Sequence, residues 1–390
     1  MQHRNRHIRL LFLSSETGGG HTAAAHAVAT AVTQLAPQAE CLIVDVLREH
    51  SALPFRYFPT VYGPLATQAP WLWEALFRVT DSRTRAELLT IASWPLAARR
   101  LRRMMRQHEP DMLVSFHPLL VRPAVRLGRE WAVPVCCVVT DLVRLHAFWL
   151  DPAVDLYCLP TAEAAEAAKR MGIDAERIIV SGQPIPPSMA APQNRLAARQ
   201  ALQLDPELPL VLLTGGGAGI GPLRPTAEAI AQLGIPLQLA VICGRNERLR
   251  QQLQRCRWPV PTFVLGFVHN MPQWLAAADI LVAKAGPGTL AEALAAGVPT
   301  VVVYALPGQE EANVEFLRSQ GAAIWAPQPQ QAAAAVARLL QDPSLRQELA
   351  AKATRAARPQ AATTIAKALI DLLAARRAQA GAAQASGAIA

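Results

Sequence analysis

Short apolar runs rich in β-branched residues alternate along most of the chain with longer segments of helical periodicity. This alternation is typical of a parallel sheet with helices on both faces, so it predicts a doubly wound α/β fold. Candidate strands in the first half are Ile8–Leu13, Cys41–Val46, Met112–Phe116, Val133–Thr140, Leu156–Leu159 and Ile178–Val180. The pattern restarts in the second half at Leu210–Thr214, Leu237–Cys243, Phe263–Leu265, Ile280–Ala283 and Thr300–Val303.

A proline-rich segment separates the two halves. Residues 181–194 carry four prolines, which can continue neither a helix nor a central strand. We therefore predict two Rossmann-like domains, over residues 1–182 and 195–358, joined by a linker at 183–194. A C-terminal helix at 359–377 and a disordered tail at 378–390 complete the predicted organisation. Ligands of such sheets bind in the cleft at the carboxyl ends of the strands.

Composition agrees with two globular domains. The chain has 390 residues, of which 52% are hydrophobic and 17% are charged, so it can bury substantial cores and global disorder is excluded. The longest uncharged stretch, 258–278, is interrupted by prolines and polar residues, so it does not predict a membrane-spanning helix. Ile8–Leu13 is shorter than the apolar region of a signal peptide, which favours a cytosolic protein. The six cysteines show no CxxC pattern and are interpreted as reduced thiols, mostly buried.

The net charge is +9, and a basic protein can bind nucleic acid, anionic lipid or phosphorylated substrates. The basic cluster follows a segment that concentrates the aromatic residues: Phe55, Tyr57, Phe58, Tyr62, Trp71, Trp73, Phe77 and Trp94, then Arg99, Arg100, Arg102, Arg103 and Arg106. Amphipathic aromatic and cationic side chains suit the lipid headgroup boundary, so this segment predicts reversible attachment to anionic membrane lipids. A solvated helix face with tryptophans packed in the core is the alternative. Nucleic acid is disfavoured because no recognisable nucleic-acid module is present.

Three glycine-rich turns each connect a predicted strand to a predicted helix. In the first, Thr17-Gly18-Gly19-Gly20-His21, the glycines let the backbone approach a ligand and the helix start attracts anions. His21 can act there as a base, or it can cap a purely structural turn. The spacing differs from GxGxxG, which disfavours NAD. The second turn, within residues 212–223, lacks the Lys-Ser/Thr of a Walker A loop, so it predicts a diphosphate cradle without ATP hydrolysis.

The third turn, Lys284 to Thr289, is followed about one helical turn later by Glu292. A carboxylate at that position can accept hydrogen bonds from both hydroxyls of a ribose, while Thr289 and the helix start face phosphate. After the next strand, Gln309 and Glu310 lie at the start of another helix, where they can bind sugar hydroxyls. Acidic residues are common at helix N-termini, so either alone would be a weak signal.

Taken together, these motifs resemble the monogalactosyldiacylglycerol synthases and the related bacterial diacylglycerol glucosyltransferases, members of the GT-B glycosyltransferase group. The matching stretches occur in the family's order over about residues 10–340. They are the TGGGH turn, VVTDLVRLHAFW (Val138–Trp149), GGGAGIGP, CGRN (Cys243–Asn246), KAGPGTLAEA and PGQEEANV.

The resemblance implies an inverting transfer of a hexose, galactose being favoured, from a UDP-sugar to 1,2-diacylglycerol. It assigns donor binding mainly to the second domain, at Gly216, Gly217, Gly219, Gly244, Arg245, Asn246, Gly266, Phe267, Val268, Lys284, Gly286, Pro287, Gly288, Thr289, Glu292, Gln309 and Glu310. On the first domain it assigns catalysis to His21 and Asp141, and acceptor or phosphate contacts to Gly18, Gly19, Gly20, His146 and Trp149.

An inverting transfer needs a base for the acceptor proton and positive potential for the leaving diphosphate. His21 is the first candidate base and Asp141 the second, although Asp141 could instead orient a histidine or cap a turn. Trp149 could equally belong to the core. No DxD motif is present, so we expect neither a cofactor nor a metal site, and loop amides and helix dipoles would neutralise the diphosphate. A loosely bound divalent metal remains open.

Other functions are compatible with the same fold. The main alternatives are transfer of N-acetylglucosamine to a polyprenyl-linked precursor and a glucose-specific diacylglycerol transferase. A sugar 2-epimerase and a non-catalytic nucleotide-sugar sensor are further possibilities. The expected location is the cytoplasm, with the protein peripheral on the inner face of the cell membrane.

Overall fold

The computed structural model describes residues 8–17, 19–51, 55–191 and 194–387. Its first sheet is parallel and six-stranded, in the order β2-β1-β3-β4-β5-β6. The strands are β1 Ile8–Ser14, β2 Ala39–Asp45, β3 Met112–Ser115, β4 Val135–Val138, β5 Leu156–Leu159 and β6 Ile178–Val180.

The second sheet is also parallel and six-stranded, in the order β12-β11-β10-β7-β8-β9. Its strands are β7 Leu210–Thr214, β8 Gln238–Ile242, β9 Thr262–Leu265, β10 Ile280–Lys284, β11 Thr300–Tyr304 and β12 Ala323–Trp325. Every predicted strand is therefore confirmed to within a few residues, and so is the fold class. Sequence reasoning missed β12, because a three-residue edge strand is too short to show an alternating pattern.

Helices cover both faces of each sheet, as the fold class requires. In the first half they are α1 Gly20–Leu35, α2 Val46–Glu49, α3 Phe58–Gln68, α4 Pro70–Thr80, α5 Arg83–His108, α6 Pro118–Trp131 and α7 Ala162–Arg170. In the second half they are α8 Arg195–Ala201, α9 Leu223–Ala231, α10 Glu247–Gln254, α11 Met271–Ala277, α12 Pro287–Ala296, α13 Glu311–Ser319, α14 Pro329–Gln341, α15 Pro343–Ala356 and α16 Ala361–Gly387. Short 3-10 helices occur at Phe55–Tyr57, Ala147–Trp149, Ala175–Arg177 and Pro187–Ala190.

The last helix, α16, returns to the first sheet. Its residues Ile365, Leu369 and Leu373 are buried in the same core as Phe12 of β1 and Val28 of α1. The chain therefore crosses between the sheets twice, once after β6 and once between α15 and α16. The sequence had indicated a helix ending near Arg377 and then disorder. Residues 378–387 are instead helical, because the alanine-rich segment has a high helix propensity.

The loops at the carboxyl ends of the two sheets meet across a cleft. Asp141, which follows β4, contacts Gln309, which follows β11. Glu16, which follows β1, contacts Arg245, which follows β8. Parallel strands expose their carboxyl ends at one edge of a sheet, and here the two edges face each other, which is where ligands of doubly wound folds bind.

Candidate functional site

His21 lies in the first turn of α1, at the carboxyl end of β1. The chain enters this helix through Gly19, whose φ of 87° is in the left-handed region that favours glycine. His21 Nδ1 lies 2.8 Å from the Thr140 hydroxyl, which follows β4. Desolvation lowers the pKa of His21 to about 4, although a hydrogen bond to the Phe116 backbone opposes the shift. The imidazole is therefore neutral at pH 7 and can accept a proton.

A second histidine, His117, packs against His21 with their ring centroids 4.6 Å apart. His117 caps α6, and its Nδ1 accepts a hydrogen bond from the Leu119 amide at 3.3 Å. The proton is therefore on Nε2, which donates to the Thr17 hydroxyl at 2.9 Å. Burial lowers the pKa of His117 well below its usual value. Sequence reasoning missed this residue, because only the tertiary fold brings the start of α6 beside the first glycine turn.

Asp141 is buried, and both of its carboxylate oxygens accept hydrogen bonds. Trp149 Nε1 donates to Oδ2 at 2.6 Å, and Gln309 Nε2 donates to Oδ1 at 3.3 Å from the opposite domain. Desolvation raises the pKa of Asp141 to about 6 despite these bonds, and the nearby Glu310 and Asp81 carboxylates add to the rise. The carboxylate is therefore held in a fixed orientation at the cleft.

Trp149 and His146 are both buried and follow Asp141 in the loop after β4. The Trp149 side chain is fully buried in the core of the first domain, where its indole bonds to Asp141 and its ring centroid lies 6.0 Å from that of His21. His146 is also buried. It accepts from the Phe148 amide at 3.2 Å through Nδ1 and donates to the Phe77 carbonyl at 3.1 Å through Nε2. His146 thereby ties the loop after β4 to α4.

Backbone packing in the second domain requires glycine at several positions. Gly219 has a φ of 62°, and a β-carbon there would lie 2.1 Å from the Cys243 carbonyl oxygen. Gly244, with a φ of 58°, would place a β-carbon 2.5 Å from the carbonyl oxygens of Gly216 and Gly217. The loop after β7 and the loop after β8 are therefore in direct backbone contact. Their glycines leave amides near the cleft without side chains in the way.

Arg245 joins the two domains beside these loops. Its guanidinium lies 4.4 Å from the centre of the Phe267 ring and 3.4 Å from the Glu16 carboxylate of the first domain. Asn246 caps α10 by accepting from the Leu249 amide. Phe267 is 41% exposed, whereas Gly266 and Val268 are partly buried. An exposed aromatic ring beside a cation can stack against a flat ring of a ligand.

Lys284, at the end of β10, forms a largely buried ion pair with Glu310. The other Glu310 oxygen accepts from the Leu306 amide at 3.0 Å. A β-carbon on Gly216 would lie 3.4 Å from Lys284 Cε, and one on Gly286 would lie 3.0 Å from its Nζ. The ammonium is therefore held between the loop after β7 and the start of α12, where a phosphate group would meet it.

Helix α12 begins with Pro287 at its first position, and Gly288 and Thr289 complete its half-buried first turn. A β-carbon on Gly288 would meet no atom within 4 Å, so the space there is open. Desolvation raises the pKa of Glu292, one turn further, to about 7. Within the part of the chain that the structure describes, Glu292 forms no hydrogen bond or ion pair, so its carboxylate is available to a ligand.

Gln309, like Arg245, contacts the first domain across the cleft. Its Nε2 donates to Asp141, while its Oε1 is buried and has no hydrogen-bond partner among the described residues. A buried amide oxygen without a donor is unfavourable, so a ligand hydroxyl would be stabilised here. Of the predicted site residues, Gly18 lies outside the described residues. Gly19 and Gly20 border the cleft, and a β-carbon on Gly19 would lie 3.3 Å from Arg245.

Among the described residues, no group of three or more His, Cys, Asp or Glu side chains is placed to hold a metal ion. The helices in that part of the chain include none that combines the length and the apolar character needed to cross a membrane.

Comparisons with known proteins agree with this geometry. Residues 21–185 match the monogalactosyldiacylglycerol (MGDG) synthase family, and residues 210–369 match the glycosyltransferase family 28 C-terminal domain. A probable chloroplastic MGDG synthase of Glycine max is 33% identical over 94% of this chain and 71% of its own length. The chloroplastic MGDG synthase 1 of Arabidopsis thaliana is 32% identical over 92% and 69%.

Solved structures show the same fold at low identity. MurG of Acinetobacter baumannii has a TM-score of 0.59 and 18% identity, covering 93% of this chain and 99% of that chain. The Anabaena protein Alr3699/HepE in complex with UDP has a TM-score of 0.58 and 16% identity, covering 94% and 100%. Both matches establish the GT-B architecture.

The expected location is wrong. A cytoplasmic protein on the inner face of a cell membrane was inferred from the absence of a signal-peptide pattern, whereas the similar MGDG synthases are named as chloroplastic. A short apolar first strand excludes only one kind of targeting segment, so it carried too little information to assign a compartment.

Proposed function

Because this chain belongs to the monogalactosyldiacylglycerol synthase family, we propose that it transfers galactose from UDP-galactose to 1,2-diacylglycerol with inversion at the anomeric carbon. The chain is a UDP-sugar-dependent glycosyltransferase of the MGDG synthase type. The identity of the hexose and the inversion at the anomeric carbon are the proposed parts of this function. Galactose is supported by the names of the relatives.

The observation that carries the proposal is the contact between Asp141 and Gln309 across the cleft. This contact places the first-domain loop that carries Asp141, one of the two candidate bases, against the second-domain loop that carries Gln309, which is assigned to the sugar. An acceptor hydroxyl near His21 and a hexose near Gln309 would therefore lie next to each other, which is the arrangement that a direct displacement needs.

The proposed reaction is a single displacement. The acceptor O–H bond breaks as His21 takes the proton, the acceptor oxygen forms a bond to the anomeric carbon, and the bond from that carbon to the diphosphate breaks, so UDP leaves. The pKa of about 4 makes His21 a weak base in the free protein. The bound diphosphate adds negative charge beside α1, which raises the pKa of a nearby histidine and improves it as a base.

The leaving diphosphate would be stabilised by charges and dipoles already fixed in the site. Lys284 lies between Gly216 and Gly286, and Arg245 lies beside Gly19. The start of α12 adds the positive end of a helix dipole. Preorganised donors of this kind stabilise charge that develops in a transition state. We propose that these groups act on the diphosphate without a protein-held metal.

The direct test is to incubate the purified protein with diacylglycerol and either UDP-galactose, UDP-glucose or UDP-N-acetylglucosamine, and to analyse the lipid by mass spectrometry and NMR. We expect β-linked monogalactosyldiacylglycerol, since UDP-galactose has an α-linkage and the reaction inverts it. An α-linked product would contradict inversion, glucosyl product alone would contradict the choice of hexose, and no glycolipid from any donor would contradict the function.

Large apolar side chains of the first domain are exposed on α4 and α5. Trp71 is 69% exposed, and the other large apolar side chains exposed on these helices are Leu72, Leu76, Val79, Leu88, Leu89, Ile91 and Leu96. This concentration of exposed apolar side chains on two consecutive helices favours contact with lipid. Phe77 is buried and Trp94 is half-buried, so part of the aromatic segment packs in the protein. The side chains of Phe55, Phe58 and Tyr62 lie outside the described residues.

The basic residues of α5 follow these apolar positions along the helix. Leu96, Arg99, Arg103 and Arg106 follow one another at helical spacing, so they share one face of the helix. Arg100 instead donates to the Ser51 carbonyl, and Arg102 pairs with Glu130 through two bonds of 2.8 Å. We propose that the three arginines that share a face with Leu96 contact anionic lipid headgroups.

Replacing Arg99, Arg103 and Arg106 together by glutamine should weaken binding to phosphatidylglycerol vesicles by about 100-fold, since each basic residue near an anionic surface contributes about fivefold. The measurement is sedimentation with vesicles at low salt. A variant with Arg248, Arg255 and Arg257 changed to glutamine loses the same charge from an exposed part of the second domain and should bind normally. Equal loss in both variants would contradict a localised membrane surface.

Donor affinity should depend on the ionisation of Glu292. With a pKa of about 7, this side chain is mostly protonated at pH 6 and mostly a carboxylate at pH 8, and the carboxylate accepts hydrogen bonds from the ribose hydroxyls more strongly than the protonated acid does. The affinity for UDP should therefore rise by up to about tenfold over this interval in addition to any effect of the phosphate itself. Calorimetry of the wild type and of Glu292→Gln separates the two effects, and identical pH profiles would contradict the assignment.

A further inference from the structure

A cavity of about 450 Å³ lies between the two domains on the side where the chain crosses from one to the other. We call it the hinge cavity; Thr161, Gln183, Leu294, Phe316, Arg355 and Arg358 are among the residues that line it. None of the residues assigned above to the donor or to the acceptor lines it. Its volume is within the range of small-molecule sites in proteins.

Both chain crossings form part of the cavity wall. Gly182 and Gln183 belong to the first crossing, and Arg358 belongs to the second. The crossings are in close contact, because a β-carbon on Gly182 would lie 2.7 Å from Cβ of Arg358. A ligand in the hinge cavity would therefore touch the two segments about which the domains would open and close.

The electrostatics of the cavity favour an anion. Arg355 and Arg358 have no carboxylate within ion-pair distance among the described residues, although Glu163 also lines the cavity. Helix α7 begins there, capped by Thr161, whose hydroxyl accepts from the Ala164 amide at 3.1 Å. Two guanidinium groups and a helix N-terminus are the groups that proteins use to bind phosphate.

Gln183 supplies an independent indication that the cavity binds a ligand. Its side chain lines the cavity and is only 5% exposed, yet its Oε1 has no hydrogen-bond partner among the described residues. A buried amide without a partner is costly unless a ligand completes it. The amide can present its oxygen to a ligand hydroxyl or, after rotation, its NH₂ group to a phosphate oxygen.

The opposite part of the wall is apolar. Leu142 comes from the first domain, and Ala291, Leu294 and Phe316 come from the second. A phosphate ion alone would leave this part of the cavity unfilled. We propose that the hinge cavity binds a small phosphate ester, with the phosphate at Arg355 and Arg358, a hydroxyl or ester oxygen at Gln183, and the carbon part against Leu294 and Phe316.

The test is calorimetric titration of sn-glycerol 3-phosphate into the full-length protein that has first been saturated with UDP, so that the donor site is filled. We expect one site for each chain. Arg358→Gln and Arg355→Gln should each weaken this binding by about tenfold or more, the usual effect of losing a charge-assisted hydrogen bond. Arg257→Gln removes the same charge from an exposed position outside the cavity and should change nothing.

Gln183→Leu provides a second test that keeps the charge constant, and it should also weaken binding. Arg355 and Arg358 are both exposed. Circular dichroism and UDP affinity are measured on every variant, so a loss of folding is recognised and the comparison rests on the variants that keep the fold. No binding of glycerol 3-phosphate to the UDP-saturated wild type would overturn the proposal. Equal affinities in wild type, Arg355→Gln and Arg358→Gln would do so too.

The ester could come from a soluble metabolite or from a lipid headgroup. Titration with dihexanoylphosphatidylglycerol, a short-chain lipid used as a dispersed monomer, distinguishes these sources. Tighter binding of this lipid than of glycerol 3-phosphate, lost in Arg358→Gln, supports a lipid headgroup, and the reverse order supports a soluble ester. This proposal is independent of the transfer reaction: if the protein did not bind UDP, the proposed function would be contradicted, and the same titration without UDP would still compare the arginine variants.

Discussion

Replacement of His21 by alanine is expected to lower the rate of galactosyl transfer by about 10²- to 10⁴-fold, the usual contribution of a general base. The affinity for UDP should stay near that of the wild type, because the uridine and ribose are assigned to the second domain. The measurement combines the turnover number with diacylglycerol and UDP-galactose and the dissociation constant of UDP from calorimetry. A large fall in turnover with unchanged UDP binding would identify His21 as part of the chemical step.

The chain offers a matched control on the same helix. His26 lies on the exposed face of α1, so His26→Ala removes an imidazole of the same helix without touching the cleft and should be fully active. Asp141→Asn tests the second candidate, since it keeps the shape of the side chain and removes the charge. If Asp141→Asn is inactive while His21→Ala retains wild-type turnover, Asp141 is the base and the assignment of His21 is wrong.

Gly219→Ala should abolish donor binding, with the affinity for UDP falling by at least about 100-fold. The added β-carbon would lie 2.1 Å from the Cys243 carbonyl oxygen, and the φ of 62° is unfavourable for alanine by about 1–2 kcal/mol even without the contact. The loops after β7 and β8 must then move apart, which removes the proposed diphosphate cradle. Calorimetry with UDP measures the loss, and thermal denaturation measures the accompanying destabilisation.

Gly288→Ala is the matched control for this steric argument. Gly288 lies inside α12, its φ is not positive, and a β-carbon there meets nothing within 4 Å. The variant should be as stable as the wild type or slightly more so, because alanine is the better helix former. Any loss of UDP affinity in Gly288→Ala would then come from contact between the added methyl group and the bound UDP. If Gly219→Ala bound UDP as tightly as the wild type, the loop after β7 could not form the diphosphate cradle.

Much of the fold was predictable from the sequence because its elements are encoded locally. A buried parallel strand is a short apolar run, and a glycine-rich turn between such a run and a helix marks the carboxyl edge of a sheet. The proline-rich segment after β6 likewise marked the change from one sheet to the next. His21, Asp141, Glu292 and Gln309 could be proposed as site residues for the same reason, since each lies in the turn or the first helical turns that follow a predicted strand.

Only the tertiary structure decided how these residues meet. The pairing of Lys284 with Glu310, the packing of His117 on His21 and the bond from Trp149 to Asp141 join distant parts of the chain, and no local pattern specifies such contacts. The return of α16 to the first sheet and the hinge cavity beneath the two crossings arise in the same way. The amino-acid sequence by itself determined the strands, the turns and the chemical groups at the cleft, because those depend on neighbours in the chain. The burial, the pairing and the pKa values of those groups depend on neighbours in space, so only the tertiary structure decided them.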